Sequence, residues 1–89
     1  MIDETEIRAA VLRVLHSVAP DVDLDRLDPA RDLRRQTDLD SFDFIRFIVG
    51  LHVELGVDVP EDAYGELDTV DRTVAYLGKT LRTSQPPTV

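Results

Sequence analysis

The chain has 89 residues, no cysteine and a formal net charge of −8, from 18 acidic and 10 basic residues. This length predicts one small domain, and the lack of cysteine excludes disulfides and thiolate metal sites. The acidic charge argues against nucleic acid and anionic membrane surfaces as partners, because both are bound mainly through basic residues. It suits attraction to basic patches on partner proteins.

Apolar residues at helical spacing predict a first helix over residues 3–18. They are Ile7, Ala10, Val11, Val14, Leu15 and Val18. Asp3 and the glutamates that follow it complement the positive end of the helix dipole, and Pro20 closes the segment. The acidic N-terminus does not look like a signal peptide, and the longest apolar run, at 47–51, is too short to cross a bilayer. We therefore expect a cytoplasmic protein.

Residues 19–39 are predicted to form a long connection, because their apolar residues are sparse and irregularly spaced. A structureless loop of this length is uncommon in a compact domain, so it indicates either a functional role or a short embedded helix. Arg34 and Arg35 add positive charge near its end.

The second predicted helix begins near Asp40 and Ser41 and stops at Gly56. Asp38 or Asp40 can cap its start through a carboxylate oxygen. Its core-facing stripe consists of Phe44, Phe47, Ile48, Leu51 and Leu55. Four further apolar residues widen that stripe, namely Phe42, Ile45, Val49 and Val53. We therefore predict a central helix that packs on more than one side.

The last third of the chain predicts a short third helix and a medium fourth one. The short helix covers 63–66 and ends near Leu67. Asp68 or Thr69 caps the last helix, and its apolar positions are Val70, Val74, Tyr76 or Leu77, and Leu81. From Thr83 onward the composition predicts a disordered tail. The predicted fold is all-α, with three longer helices, one short helix and a long loop between the first two.

The sequence offers little support for catalysis. Ser41 lacks the flanking glycines of a nucleophile elbow, and the two histidines lie far apart without a ligand set for zinc. The carboxylates of Asp38, Asp40 and Asp43 lack the glycine and distal glutamate of a calcium loop. We therefore predict no catalytic residue and no metal site.

One motif follows the long loop: Asp40-Ser41-Phe42-Asp43-Phe44, at the start of an apolar helix. Together with its surroundings it resembles the acyl carrier protein family, in which an Asp-Ser pair precedes an apolar residue. The resemblance extends from about Ile7 to Leu81. Its other segments are Leu27-Asp28-Pro29, Asp32-Leu33, Leu55-Gly56-Val57-Asp58-Val59-Pro60-Glu61 and Thr69-Val70-Asp71.

The resemblance implies a four-helix bundle of acyl-carrier type over residues 1–82, with the tail at 83–89. It implies that a phosphopantetheinyl transferase joins 4'-phosphopantetheine from coenzyme A to the hydroxyl of Ser41. The arm's thiol would then carry acyl groups as thioesters to acyl ligases, acyltransferases or synthases. The protein would be a free-standing, non-catalytic monomer. The alternative for Ser41 is an ordinary helix-capping serine.

The surface beside Ser41 is predicted to dock partner enzymes. Its candidate residues are Asp40, Phe42, Asp43, Arg46 and His52. Members of the family that serve fatty acid synthesis usually carry glutamates along the second helix, where this chain has an arginine and a histidine. Since complementary charge selects partners, we expect a specialised lipid or secondary-metabolite pathway. Phe42 either packs against a partner or fills the core, and His52 is alternatively a solvated surface residue.

Two other functions stay open. One is an aminoacyl or peptidyl carrier loaded by an adenylating enzyme, and the other is a helical interaction module that is not modified. For a carrier, we predict a cargo groove between the second helix, the third helix and the upstream loop. Its candidate lining residues are Ile45, Val49, Val59, Ala63 and Tyr64.

Overall fold

The computed structural model describes residues 3–83, in which every regular element is helical. Four α-helices occur in chain order: α1 (Glu4–Val18), α2 (Leu33–Thr37), α3 (Ser41–Leu55) and α4 (Val70–Thr83). Two 3₁₀ helices, Leu24–Arg26 and Glu61–Leu67, lie between them. The predicted all-α fold is confirmed. Helix α4 includes Thr83, and the rest of the predicted tail, 84–89, lies outside the described residues.

Local side-chain chemistry explains where the long helices begin and end. Asp3 caps α1, Asp40 caps α3 and Thr69 caps α4, each accepting a hydrogen bond of 2.8–3.0 Å from a first-turn N–H group. Gly56 ends α3 in the left-handed conformation with φ 70°, and its N–H donates to the carbonyl oxygen of His52 over 2.8 Å. Glycine adopts that conformation without the steric cost that a side chain adds.

The short helix predicted at 63–66 is the second 3₁₀ helix, and it begins earlier than predicted. It starts at Glu61, directly after Pro60, whereas the sequence pattern placed its start at Ala63. The N–H of Ala63 donates to the carbonyl oxygen of Pro60 over 2.9 Å, which closes the first turn. Pro60 is therefore the N-cap residue, with an extended ψ of 152°, and its carbonyl oxygen accepts the first hydrogen bond of the helix.

The long connection between α1 and α3 contains two short helices, Leu24–Arg26 and α2. An embedded short helix was one of the two predictions made from the length of this segment. Helix α2 is anchored by Leu33, which is fully buried. Two backbone hydrogen bonds tie this region to the start of α4: the N–H of Leu33 donates to Asp68 over 2.7 Å, and the N–H of Asp71 donates to Pro29 over 2.9 Å. The connection is therefore fixed to the bundle at two places before it reaches α3.

The core lies between the three long helices and the second 3₁₀ helix. Its largest fully buried side chains are Phe47, Leu15, Leu33, Leu51, Leu67 and Leu77. Helix α1 approaches α3 closely at Gly50, where an added Cβ would lie 2.5 Å from Cγ1 of Val14. Two buried threonines, Thr37 and Thr73, donate their hydroxyls to backbone carbonyls over 2.7 Å each. No buried side-chain polar atom in the described part lacks a partner.

The prediction that α3 packs on more than one side is wrong. Phe42, Ile45, Val49 and Val53 are 71%, 47%, 55% and 78% exposed. They share one face of α3, because a helix of 3.6 residues per turn brings positions three, seven and eleven residues apart to the same side. The core contacts the opposite face, and no described element covers this one. We call these four residues the outer stripe of α3.

Within residues 3–83, no helix is both long enough and apolar enough to cross a membrane.

Candidate functional site

Ser41 is the first residue of α3 and is exposed. The residue before it, Asp40, has an extended backbone, and its carboxylate accepts a hydrogen bond of 2.8 Å from the N–H of Asp43. This cap fixes the first turn of the helix and holds the carboxylate against the backbone. The Ser41 hydroxyl therefore lies at the surface, at the end of a helix whose first-turn N–H groups favour a negatively charged group.

Arg34 lies beside this hydroxyl. Its Nη2 is 3.4 Å from Oγ of Ser41, and the carbon of its guanidinium group is 5.3 Å from the centre of the Phe44 ring. Phe44 is buried and meets Tyr64 edge to face, with 6.0 Å between ring centres. An arginine over an aromatic face at this distance makes a cation–π contact. A buried aromatic ring of the core therefore contacts the arginine that lies beside Ser41.

His52 does not lie beside the Ser41 hydroxyl. His52 is eleven residues further along the same helix, which corresponds to about 16 Å along the helix axis. That distance is too long for His52 to accept the Ser41 proton directly. Among residues 3–83, no group of three or more histidine and carboxylate side chains could hold a metal ion. The Ser41 hydroxyl is open to solvent.

Four of the five predicted docking residues lie together around Ser41. Asp40, Phe42 and Asp43 belong to the cap and first turn of α3, and Arg46 follows one turn later with its Nη1 3.8 Å from the Asp43 carboxylate. Phe42 points into solvent and does not fill the core. His52 lies near the other end of α3, with Nδ1 3.3 Å from the carbonyl oxygen of Val57, and is exposed.

The five residues predicted to line a cargo groove lie in two parts of the structure. Val59 and Ala63 are buried in the core, and Tyr64 packs against Phe44. Ile45 and Val49 belong to the outer stripe, on the face of α3 directed away from the core. The groove between them stays a prediction. The apolar pattern of α3 alone did not distinguish its inner face from its outer one.

An open cleft of about 400 Å³ lies instead between α1 and α3. Its walls include Val49 and Val53 of the outer stripe, together with Arg13, Arg46 and Glu54. Arg13 and Glu54 form an ion pair of 3.0 Å across the cleft. The outer stripe is therefore bordered on this side by charged groups of both signs.

Sequence reasoning did not identify Arg34 as part of the site. The sequence showed Arg34 only as one of two positive charges near the end of the long connection. Its contact with Ser41 depends on α2 and on the left-handed turn at Asp38, with φ 57°, which redirects the chain between the two residues. The available signal was Leu33, an apolar residue in a polar segment, because a leucine anchored in the core fixes the direction of its neighbour.

Comparison with known proteins agrees with this geometry. The family model described as phosphopantetheine attachment site matches residues 5–77. An acyl carrier protein of Lactobacillus acidophilus is 32% identical over 57 residues, which are 64% of this chain and 71% of that protein. An acyl carrier protein of Lactobacillus johnsonii is 36% identical over 56 residues, covering 61% of this chain and 70% of that protein.

The match covers most of the chain and includes α1, α2, α3 and the start of α4. The cofactor of this family is covalently attached 4'-phosphopantetheine. An exposed serine hydroxyl at a helix start, with an arginine beside it, fits a phosphodiester attachment. The chain therefore belongs to the acyl carrier protein family, whose members bear a phosphopantetheine arm.

Proposed function

We propose that this protein carries acyl groups as thioesters on a 4'-phosphopantetheine arm attached to Ser41, and that it performs no catalysis itself. The observation that supports this most directly is the exposed hydroxyl of Ser41 at the first residue of α3, inside the region that matches the attachment-site family. The arm supplies a flexible thiol. The protein supplies the anchor and the surface that partner enzymes contact.

Attachment uses coenzyme A as the donor and a phosphopantetheinyl transferase as the catalyst. Oγ of Ser41 bonds to the pantetheine-side phosphorus of the coenzyme A pyrophosphate, and the P–O bond from that phosphorus to the bridging oxygen breaks. Adenosine 3',5'-bisphosphate leaves with the bridging oxygen, and the Ser41 hydroxyl proton passes through the transferase to solvent. Asp40 has no proton-transfer role in this scheme, and its Oδ1 caps the N–H of Asp43. Its role is to hold the first turn so that Ser41 is presented in one orientation.

We further propose that the partners belong to a specialised pathway outside housekeeping fatty acid synthesis. The support is the composition of the exposed side of α3, where the outer stripe offers an apolar surface and Arg46 adds a positive charge. A matching partner has an apolar patch with a carboxylate opposite Arg46. Complementarity of this kind selects among partners, since a like charge or an unpaired charge at an interface is unfavourable.

Intact-mass spectrometry tests the attachment. The protein is incubated with coenzyme A and a broad-specificity phosphopantetheinyl transferase, and we expect the mass of one arm to be added. Ser41→Ala should abolish the gain, whereas Ser17→Ala, which removes an exposed hydroxyl on α1, should leave it unchanged. No gain on the unaltered protein would contradict the proposal and would favour an unmodified interaction module.

Partner choice is tested with the modified protein loaded with malonate. A housekeeping ketosynthase should turn it over poorly, and Arg46→Glu should improve that turnover because it restores an acidic residue. Efficient turnover of the unaltered protein would overturn the specialised assignment. Incubation with adenylating ligases and amino acids, followed by mass measurement, distinguishes an acyl carrier from an aminoacyl or peptidyl carrier.

A further inference from the structure

We propose that Arg34 binds the phosphate that links the arm to Ser41, and so holds the base of the arm against α2. This inference rests on the proposed attachment at Ser41. It is carried by the distance of 3.4 Å between Nη2 of Arg34 and Oγ of Ser41. A phosphorus bonded to that oxygen places two charged oxygens at the same end of α3 as the guanidinium group.

The chemistry of the two groups is complementary. A guanidinium group presents several N–H donors in one plane and pairs with two phosphate oxygens at once, which an ammonium group does not do. The guanidinium of Arg34 is already supported by the Phe44 ring at 5.3 Å. Because this contact limits the positions that the side chain adopts before modification, less conformational freedom is lost when the phosphate is bound.

The local charge favours such a cation. Asp38, Asp40 and Asp43 all lie within three residues of Ser41 in the sequence, so the phosphodiester adds a negative charge next to three carboxylates. Arg46, a cation near the start of α3, lies 3.8 Å from the carboxylate of Asp43. Among the described residues, Arg34 is the one cation in hydrogen-bond contact with Ser41.

The test compares unmodified and modified forms of three proteins: the unaltered chain, Arg34→Gln and Arg35→Gln. Arg35 is the control, because it is an exposed arginine on the same helix. The readout is the change in melting temperature caused by modification. We expect this change to be about 3 °C less favourable in Arg34→Gln than in the unaltered chain, and unaltered in Arg35→Gln. The difference should shrink between about 0.05 M and about 0.5 M salt, because the pair is exposed.

A second readout needs no substitution in the binding residue. In the unaltered protein, the NMR signal of the Arg34 Nε–H group should move on modification, and that of Arg35 should stay in place. This signal decides the question if the transferase does not accept Arg34→Gln. Arg34→Lys should recover only part of the lost melting-temperature change, because lysine keeps the charge without the two-pronged geometry.

The outcomes separate this inference from the attachment itself. A mass gain at Ser41, with equal melting-temperature changes in all three proteins and no movement of the Arg34 signal, would overturn the role of Arg34. Arg34 would then be a loop residue that stacks on Phe44 and affects both forms equally. If the unaltered chain gains no mass, the attachment proposal is wrong, and the role of Arg34 is overturned with it.

Discussion

Helix α3 has two apolar faces, of which one is buried and the other is exposed. The inner face, which includes Phe47 and Leu51, is buried against α1 and the rest of the bundle, whereas the outer stripe is exposed along the same fifteen residues. The side chains are of similar kinds, so their composition does not separate the two faces. What differs is the presence of neighbouring elements. The inner face therefore holds the fold together, and the outer stripe is available to partners.

The largest expected effect is on the inner face. Phe47→Ala removes a fully buried ring, and we expect the free energy of unfolding to fall by about 3–5 kcal/mol. A loss of this size is a large part of the total stability of a small domain, which is about 5–15 kcal/mol. Urea unfolding followed by circular dichroism measures it. A loss below about 1 kcal/mol would show that the two faces do not differ as described.

A smaller effect is expected where α1 approaches the edge of α3. Gly50→Ala places a Cβ 2.5 Å from Cγ1 of Val14, and that side chain is held by its branching at Cβ and by its burial. The clash costs about 1–3 kcal/mol, and the better helix propensity of alanine returns up to about 1 kcal/mol, so a net loss near 1 kcal/mol is expected.

The control for this prediction relieves the clash from the other side. Val14→Ala alone should destabilise the fold by leaving a cavity, but Gly50→Ala should be less harmful in that background than in the unaltered protein. Urea unfolding of all four combinations gives the coupling energy. Additive effects would mean that the two helices do not meet at Gly50.

The smallest effect on stability is expected on the outer stripe. Val53→Ser should change the free energy of unfolding by no more than about 0.5 kcal/mol, because this side chain is mostly exposed already. Turnover by the true partner enzyme should nevertheless fall, since an apolar contact at the interface is lost. Unchanged turnover of both Val53→Ser and Val49→Ser would remove the outer stripe from the docking surface.

Local signals in the sequence predicted the ends of the helices well. Thr69 and Gly56 act through hydrogen bonds and backbone conformations that involve only a few residues, so their roles are visible in the sequence. Asp3 was expected at the start of α1 for its charge alone, and it also caps the helix. The surroundings of Ser41 were visible in part. Its place at the start of α3 follows from the same local rules, and the structure agrees with it.

Features that depend on distant neighbours were not predictable in the same way. Periodicity shows that α3 is apolar on two faces, but not that its neighbours all lie against one of them. Helix α2, which has five residues, is too short to give a periodic pattern. The contact between Arg34 and Ser41 was missed because the turn at Asp38 brings the two residues together.

The loop before Ser41 is held to α4 mainly through its backbone. The N–H of Leu33 and the carbonyl oxygen of Pro29 make the two hydrogen bonds that join it to Asp68 and Asp71. Most residues have an N–H and all have a carbonyl, so these attachments tolerate almost any change in side chain at the exposed loop positions. Charges at positions such as 34 and 35 can therefore diverge between related proteins while Ser41 keeps its place. This is a route by which one scaffold acquires new partners without a new fold.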